Sequence, residues 1–174
     1  MIACFDVHYR GESAAAAAAL VFNAWSDAEP VAEYTVQLDE VGDYEPGKFY
    51  QRELEPLLAV IGKIQEPVDV FVIDAYCHLD AAGAPGLGAY LFEQLKAERE
   101  TPPAVIGVAK SRFRGSGHAA EVLRGDSARP LLVTAIGLPK DEAAAHIALM
   151  DGEFRIPTLI KQVDQLCRQA LDET

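Results

Sequence analysis

Three carboxylates stand where the surrounding pattern makes a charged residue unexpected. Asp6 interrupts the apolar, β-prone run "IACFDV", where valine or isoleucine would suit a strand better. Asp74 follows the apolar run "VFVI", which is typical of a buried parallel strand. Glu53 follows Tyr50 by three residues and precedes Leu57 by four, so helical periodicity places it on an apolar helix face. Burying an unpaired carboxylate is costly, so each group needs a hydrogen bond, a counter-ion or a metal.

Each carboxylate also has a purely structural explanation. Asp6 would accept backbone N–H groups in a bulge, Glu53 would pair with Arg52 or a distant arginine, and Asp74 would cap the following turn. Considered singly, these explanations are the better ones. Considered together, the three residues favour a shared site, because a first strand, a first long helix and a central strand are neighbours in a mixed sheet.

Converging carboxylates predict a metal site. Three such groups repel one another and raise one another's pKa unless a cation neutralises them. Oxygen ligands select a hard cation, Mg²⁺ or Mn²⁺, which binds substrate phosphate and presents a water for attack on phosphorus. Phosphodiester hydrolysis is therefore the predicted reaction class. Lys110, at the end of the apolar run "AVIGVA", is placed to neutralise the phosphate, although alone it would be interpreted as a surface lysine.

The elements around these residues predict a mixed sheet with helices on its faces. Strands are predicted in "IACFDVHY", "VAEYTVQL", "VDVFVIDA", "AVIGVA" and "PLLVTAIG". The alanine run of "AAAAAALVF" has high helix propensity, but its place between two strands favours a strand. Helices are predicted after Pro46, over about 87–98, in "PKDEAAAHIALM" and from about Pro157 onwards. We expect a strand order of about 3-2-1-4-5, with an extension left open, in a single α/β domain over residues 1–174.

Composition limits the class of protein. With 174 residues, no apolar run near the roughly 20 residues of a membrane span, and no basic, cleavable leader in "MIACFDVHYR", we expect a cytoplasmic protein without membrane contact. The three cysteines lack metal-site spacing and suit a reducing compartment. A formal charge of −12 disfavours nucleic acid at long range, yet the segment from Lys110 to Arg124 is locally basic.

Five segments, in order along the chain, carry a resemblance to a known family: "FDVHY", "YEPGKFYQRE", "FVIDA", "IGVAKSR" and "FRIPTLIKQVDQL". They resemble motifs of endonuclease V, a metal-dependent repair nuclease with a ribonuclease H-like fold. The resemblance covers most of the chain. It implies an α/β fold of that class and an endonuclease that hydrolyses the phosphodiester on the 3′ side of deaminated purines, chiefly inosine, in DNA or RNA.

The resemblance also implies roles for individual residues. Asp6 and Asp74 correspond to carboxylates that bind Mg²⁺ or Mn²⁺, and Glu53 to one that holds the metal through water. Lys110 corresponds to the catalytic lysine. Asp164 corresponds to an acidic or histidine position on the last helix that helps the metal-bound waters.

A second group of residues corresponds to the wedge that inserts beside the damaged base: Tyr44, Pro46 and Gly47. Two segments depart from the family pattern. The wedge is surrounded here by acidic residues, Asp39, Glu40, Asp43 and Glu45. After Asp74 the family usually has a glycine-rich stretch and then a histidine, whereas this chain has "AYCHLD", with Asp80 near the histidine position.

These departures leave an alternative function open: a catalytically degraded nuclease-like domain that binds a nucleic acid, ligand or protein without cleaving it. A thiol hydrolase using Cys77 and His78 is disfavoured, because adjacent strand residues point to opposite faces of a sheet. His8, His118 and His146 are interpreted as ordinary packed or solvated residues. The pattern does not predict an oligomeric state.

Overall fold

The computed structural model describes residues 1–11, 14–39 and 49–172. Its strands are β1 (Ile2–Arg10), β2 (Ala14–Phe22), β3 (Ala32–Leu38), β4 (Val70–Ile73), β5 (Ala104–Ala109), β6 (Ala120–Val122) and β7 (Leu131–Ile136). In the described part of the chain they form one sheet in the order β3-β2-β1-β4-β5-β7-β6. The predicted order 3-2-1-4-5 is confirmed, and β7 and β6 extend it at one edge.

In the residues that the structure describes, four helices cover both faces of this sheet, as predicted. They are α1 (Phe49–Ile61), α2 (Leu87–Glu98), α3 (Lys140–Leu149) and α4 (Thr158–Asp172), with a short 3₁₀ turn at Ser116–His118. One apolar core lies between the sheet and α1 with α2, and a second lies between the opposite face and α3 with α4. Among the described residues, no helix combines the length and the apolar character needed to cross a membrane.

The alanine run forms β2, the strand between β3 and β1. Its side chains alternate between the two cores: Ala16 and Ala18 face the α4 side, and Ala17 and Ala19 face the α1 side. All four are fully buried. Small side chains let a helix approach the sheet closely from either face, and this packing outweighs the helix propensity of alanine.

The pairing of the central strands brings the predicted site residues to one edge of the sheet. β1, β4 and β5 are parallel, and Phe5, Ile73 and Gly107 lie side by side in their register. Asp6 and Asp74 directly follow two members of that row. The carboxyl ends of parallel strands are the usual place for sites in open α/β sheets.

Gly107 allows the chain to turn tightly after Asp74. A Cβ atom at Gly107 would clash with the carbonyl oxygen of Ala75 and would lie 2.9 Å from the backbone nitrogen of Cys77. The backbone N–H of Cys77 also donates a hydrogen bond to Oγ1 of Thr134, at 2.8 Å. The segment after β4 is therefore packed directly onto β5, which fixes where Asp74 leaves the strand.

The basic segment after β5 is partly structural. The short edge strand β6, which pairs with β7, was not predicted from the sequence. Arg112 pairs with Glu121, and Arg124 is buried with only 7% of its surface exposed. The guanidinium of Arg124 donates hydrogen bonds to backbone carbonyl oxygens at the end of α3 and in the turn after it, including those of Met150 at 2.7 Å and Gly152 at 2.8 Å.

Replacing Arg124 by alanine is therefore expected to destabilise the fold by about 2–4 kcal/mol, because it leaves buried carbonyl groups without their donor. Urea unfolding would measure the change. Arg114→Ala, which removes an exposed arginine of the same segment, is the matched control and should change stability by no more than about 0.5 kcal/mol. Equal effects in the two variants would mean that the buried contacts of Arg124 do not stabilise the end of α3.

Candidate active site

Asp6, Glu53 and Asp74 line one small cavity, of about 70 Å³, at the carboxyl edge of the central strands. β1 supplies Asp6, the end of β4 supplies Asp74, and α1 supplies Glu53. Apolar side chains, including Phe5 and Leu57, form much of the remaining wall. Carboxylates drawn from three elements thus meet in a partly apolar pocket, which is the arrangement that their positions in the sequence predicted.

Asp6 is the most enclosed of the acidic groups around Asp74. Its side chain is 12% exposed, and its Oδ1 accepts a hydrogen bond from the backbone N–H of Val7 at 2.9 Å. Burial raises the pKa of Asp6 to about 6, although the nearby His8 opposes this shift. The charge of Asp74 adds to the rise. In the metal-free protein, Asp6 therefore holds a proton more tightly than an ordinary carboxyl group does.

Asp6 is also part of a tight cluster with His8 and Asp164. Nε2 of His8 lies 3.2 Å from Oδ2 of Asp6 and 2.9 Å from Oδ1 of Asp164. Among the described residues, these three form a group whose potential ligand atoms all lie within 4.8 Å of one another. Asp6 and His8 are two residues apart on β1, so both side chains point to the face that α4 covers.

Asp164 is held ionised by its neighbours. Its oxygens accept two hydrogen bonds from Arg168, one turn later on α4, both at 3.1 Å. Burial opposes ionisation, but the hydrogen bonds from Arg168, His8 and Asp6 outweigh it and lower the pKa of Asp164 to about 2. A proton taken up by the two carboxyl groups therefore goes to Asp6 rather than to Asp164.

Lys110 lies at the site, as predicted, and pairs with Asp74. The two charged atoms, Nζ of Lys110 and Oδ2 of Asp74, are 2.5 Å apart. Burial favours the neutral amine, but the hydrogen bond and the charge of Asp74 outweigh burial and raise the pKa of Lys110. Asp6 and Asp164 contribute smaller effects in the same direction. Lys110 is therefore charged and within reach of an anion bound at the carboxylates.

Glu53 lies on the cavity side of α1, in the helix phase that the sequence predicted. Burial raises the pKa of Glu53, whereas Glu55 is exposed. The hydroxyl of Tyr9 donates a hydrogen bond to the carbonyl oxygen of Arg52 at 3.2 Å, which ties this turn of α1 to β1. Glu53 is not part of the tight cluster of Asp6, His8 and Asp164. Glu53 instead lines the cavity that it shares with Asp6 and Asp74, on the face of the sheet that α1 covers, whereas α4 covers the other face.

Two further sequence interpretations have different outcomes. Tyr44, Pro46 and Gly47, the predicted wedge, lie outside the described residues. Cys77 is fully buried, and burial raises the pKa of its thiol to about 12. Its Sγ lies 3.5 Å from the carbonyl oxygen of Val105, as a donor. A buried, protonated thiol is a poor nucleophile, so the structure agrees with the sequence in disfavouring a cysteine hydrolase.

Comparison with known proteins gives the family. A sequence model of endonuclease V matches residues 1–153. The chain belongs to the endonuclease V family. The endonuclease V of Streptomyces avermitilis is 28% identical, with 97% of this chain and 79% of that relative covered. Family membership makes this protein a nuclease, which is a phosphodiester hydrolase, and confirms the family and the enzyme class predicted from the sequence.

Solved structures of endonuclease V share the fold. A crystal structure of endonuclease V from S. avermitilis, 28% identical, has a TM-score of 0.74 and covers 99% of this chain and 81% of that chain. A structure of the Ciona intestinalis endonuclease V, 20% identical, has a TM-score of 0.77 and covers 99% and 85%. Asp164 lies beyond the matched residues 1–153, so its place at the candidate site rests on the contacts of α4 described above.

Arg155, in the family-like segment "FRIPTLIKQVDQL", adjoins Lys110 but was not among the predicted site residues. Its guanidinium donates hydrogen bonds to the carbonyl oxygens of Lys110, of Arg129 at 2.9 Å and of Pro130 at 3.1 Å. It therefore fixes the backbone of Lys110 relative to the start of β7. The segment resembles a family motif, but the pattern does not show the partners of Arg155, because every residue presents the same carbonyl group.

The residues at this site suit a divalent cation. The described part of the chain provides four carboxylates, Asp6, Glu53, Asp74 and Asp164, and one imidazole, His8, around a common edge of the sheet. Carboxylate oxygens and imidazole nitrogens are both ligands of divalent metals. The ion pair of Asp74 with Lys110 shows that one of these carboxylates already holds a positive charge.

Proposed function

We propose that this protein is a divalent-metal-dependent endonuclease that hydrolyses the phosphodiester on the 3′ side of inosine, or of another deaminated purine, in DNA or RNA. The observation that carries the proposal is the cavity shared by Asp6, Glu53 and Asp74, with Lys110 bonded to Asp74. A related structure supports the substrate class: the Ciona endonuclease V is in complex with a 23mer DNA containing an inosine followed by a ribo-adenosine. A role in DNA repair, a cytoplasmic location and a single functional domain belong to the same proposal.

Each residue at the site is proposed to have a separate role in hydrolysis of the phosphodiester. Bound Mg²⁺ or Mn²⁺ supplies positive charge and a water of lowered pKa. Asp6 and Asp74 would hold this cation directly, and Glu53 would hold it through a water at the cavity. Lys110 turns from Asp74 to the phosphate and neutralises its developing charge. Asp164, already ionised, accepts a hydrogen bond from the attacking water and so orients it.

The damaged base is proposed to lie outside the base stack. Extruding a nucleotide costs a few kcal/mol and is easiest at a mispaired base, which favours deaminated purines. Tyr44, Pro46 and Gly47 are the residues that the resemblance assigns to the wedge. Tyr76 packs edge-on against Phe113, with ring centroids 4.8 Å apart, and donates a hydrogen bond to the carbonyl oxygen of Ser111 beside Lys110. These rings offer an aromatic surface for an extruded base.

Cleavage assays on matched substrates test this function. The protein would be incubated with DNA and RNA of one sequence that contain either inosine or guanosine, with Mg²⁺, with Mn²⁺ or with a chelator. We expect cutting only beside inosine and only with metal, and no cutting by Asp74→Asn. Absence of cutting on all inosine substrates would contradict the proposed substrate, and cutting in chelator would contradict the proposed metal dependence.

A second candidate function is binding without cleavage. It is favoured by the segments that depart from the family pattern, "AYCHLD" after Asp74 and the acidic residues around Tyr44, together with the formal charge of −12, because these features oppose the approach of a scissile phosphate to the carboxylates. The same assays separate the two functions. Tight binding of inosine-containing nucleic acid without cutting in any metal would support the binding domain, whereas cutting that Asp74→Asn abolishes would exclude it.

A further inference from the structure

His8 lies among the metal-binding carboxylates, and neither the family resemblance nor the proposed function assigns it a role. Its Nε2 atom lies 2.9 Å from Oδ1 of Asp164 and 3.2 Å from Oδ2 of Asp6. The same nitrogen therefore faces both carboxylates. The side chain is 26% exposed, so it is accessible from the cavity edge without being freely solvated.

The spacing of Nε2 of His8 and Oδ2 of Asp6 suits ligation of one cation. Neighbouring ligands in an octahedral site, each about 2.1–2.2 Å from the metal, are about 3 Å apart. The distance between these two atoms is 3.2 Å, close to that separation. β1 places Asp6 and His8 on one face, and α4 brings Asp164 to them.

We propose that His8 is a nitrogen ligand of the divalent cation beside Asp6, with Asp164 remaining the acceptor for a water, and that His8 makes the site prefer Mn²⁺ to Mg²⁺. This inference depends on one part of the proposed function, namely that the site binds a divalent cation. Mg²⁺ favours oxygen ligands, whereas imidazole nitrogen suits transition metals. Exchanging one oxygen ligand for His8 therefore weakens Mg²⁺ binding relative to Mn²⁺ binding.

A purely ionic role for His8 predicts something different. As a counter-ion of Asp6 and Asp164, a protonated His8 would compete with the metal, and its removal would strengthen the binding of both cations. As a ligand, His8 strengthens the binding of Mn²⁺ in particular. The two roles therefore differ in the sign of the effect on Mn²⁺ affinity.

Mn²⁺ alone is the probe for a direct test. Pulsed electron paramagnetic resonance of the Mn²⁺-loaded protein should show coupling to a directly bound nitrogen, and labelling with ¹⁵N-histidine should alter that coupling. The coupling should vanish in His8→Gln, which replaces the nitrogen by an amide oxygen. It should persist in His146→Gln, because His146 lies on α3 and stacks on Trp25, with ring centroids 4.6 Å apart.

Calorimetry on the same proteins gives a second readout. We expect His8→Gln to weaken Mn²⁺ binding by about tenfold or more and to change Mg²⁺ binding by less than about threefold. Wild-type protein that binds Mn²⁺ and cleaves, but shows no histidine coupling, would overturn this inference and leave the proposed function standing. Coupling that survives in His8→Gln would overturn it too. Wild-type protein that binds neither metal would overturn both.

Discussion

Replacing Asp6 by asparagine is expected to abolish most activity while making the metal-free protein more stable. The asparagine side chain would keep an oxygen for the backbone N–H of Val7, so the fold should survive. It would lack the charge that binds a cation, and we expect cleavage to fall by about 100-fold or more and Mg²⁺ binding to weaken in parallel. Calorimetry and the inosine cleavage assay would measure the two losses.

The gain in stability follows from the raised pKa of Asp6. The folded protein holds the Asp6 proton with a pKa of about 6, against 3.8 for the free group. Protonated Asp6 therefore stabilises the fold fully below pH 3.8, and this contribution is lost as pH rises through 6. Asparagine imitates the protonated carboxyl at every pH. We expect Asp6→Asn to raise the free energy of unfolding at pH 8 by about 1–3 kcal/mol, and the difference from wild type to shrink towards pH 4.

Unfolding by urea in chelator, at several values between pH 4 and pH 8, would measure this difference. Asp172→Asn makes the same chemical change at a side chain that is 85% exposed, and it should reproduce neither the loss of activity nor the gain in stability. A variant Asp6→Asn that is less stable than wild type at pH 8, or one whose stability difference does not depend on pH, would contradict the raised pKa of Asp6.

The position of Asp6 and Asp74 followed from local pattern alone. A run of apolar β-formers predicts a strand, and a carboxylate inside or just after that strand stands out against it. Parallel strands align their carboxyl ends, so two such carboxylates on neighbouring strands must be close. Phe5 and Ile73 are paired in the sheet, which is why Asp6 and Asp74 line one cavity. Strand order and site were therefore predicted by the same few residues.

His8 shows where that reasoning stopped short. It was interpreted as an ordinary histidine, although the period of two in a strand puts it on the same face as Asp6. That signal was present in "FDVHY" and could have found it. The contact between His8 and Asp164 could not be found in this way, because the two residues are 156 positions apart and their meeting depends on how α4 packs on β1.

The partners of the two structural arginines could not be predicted from the sequence, although Arg155 lies in a family-like segment. Arg124 and Arg155 both act on backbone carbonyl groups far along the chain, and such partners look the same whatever residues carry them. The sequence suggested that the basic segment from Lys110 to Arg124 could bind phosphate groups. In the structure, one of its charges, Arg124, instead supports the end of α3. Local charge pattern does not distinguish a solvated arginine from a buried one, because tertiary packing decides which it is.

Replacing Glu53 by glutamine is expected to weaken metal binding and activity without unfolding the protein. Glu53 lines the cavity with Asp6 and Asp74, and burial raises its pKa. The variant loses a charge that attracts the cation and a strong acceptor for a water at the site, so we expect activity to fall by about 10–100-fold. The metal-free variant should be as stable as wild type or slightly more so, because repulsion among the three carboxylates is reduced.

Glu55→Gln is the matched control, because it makes the same change on the same helix. Glu55 follows Glu53 by two positions, about 200° around the helix axis, and is exposed. We expect its replacement to leave Mg²⁺ and Mn²⁺ affinity unchanged and to alter stability by no more than about 0.5 kcal/mol. Metal titrations of both variants, followed by thermal melts with and without Mn²⁺, show which face of α1 acts on the metal. Equal losses of metal affinity, or a larger loss in Glu55→Gln, would show that Glu53 does not act on the metal, and the three-carboxylate site would be wrong.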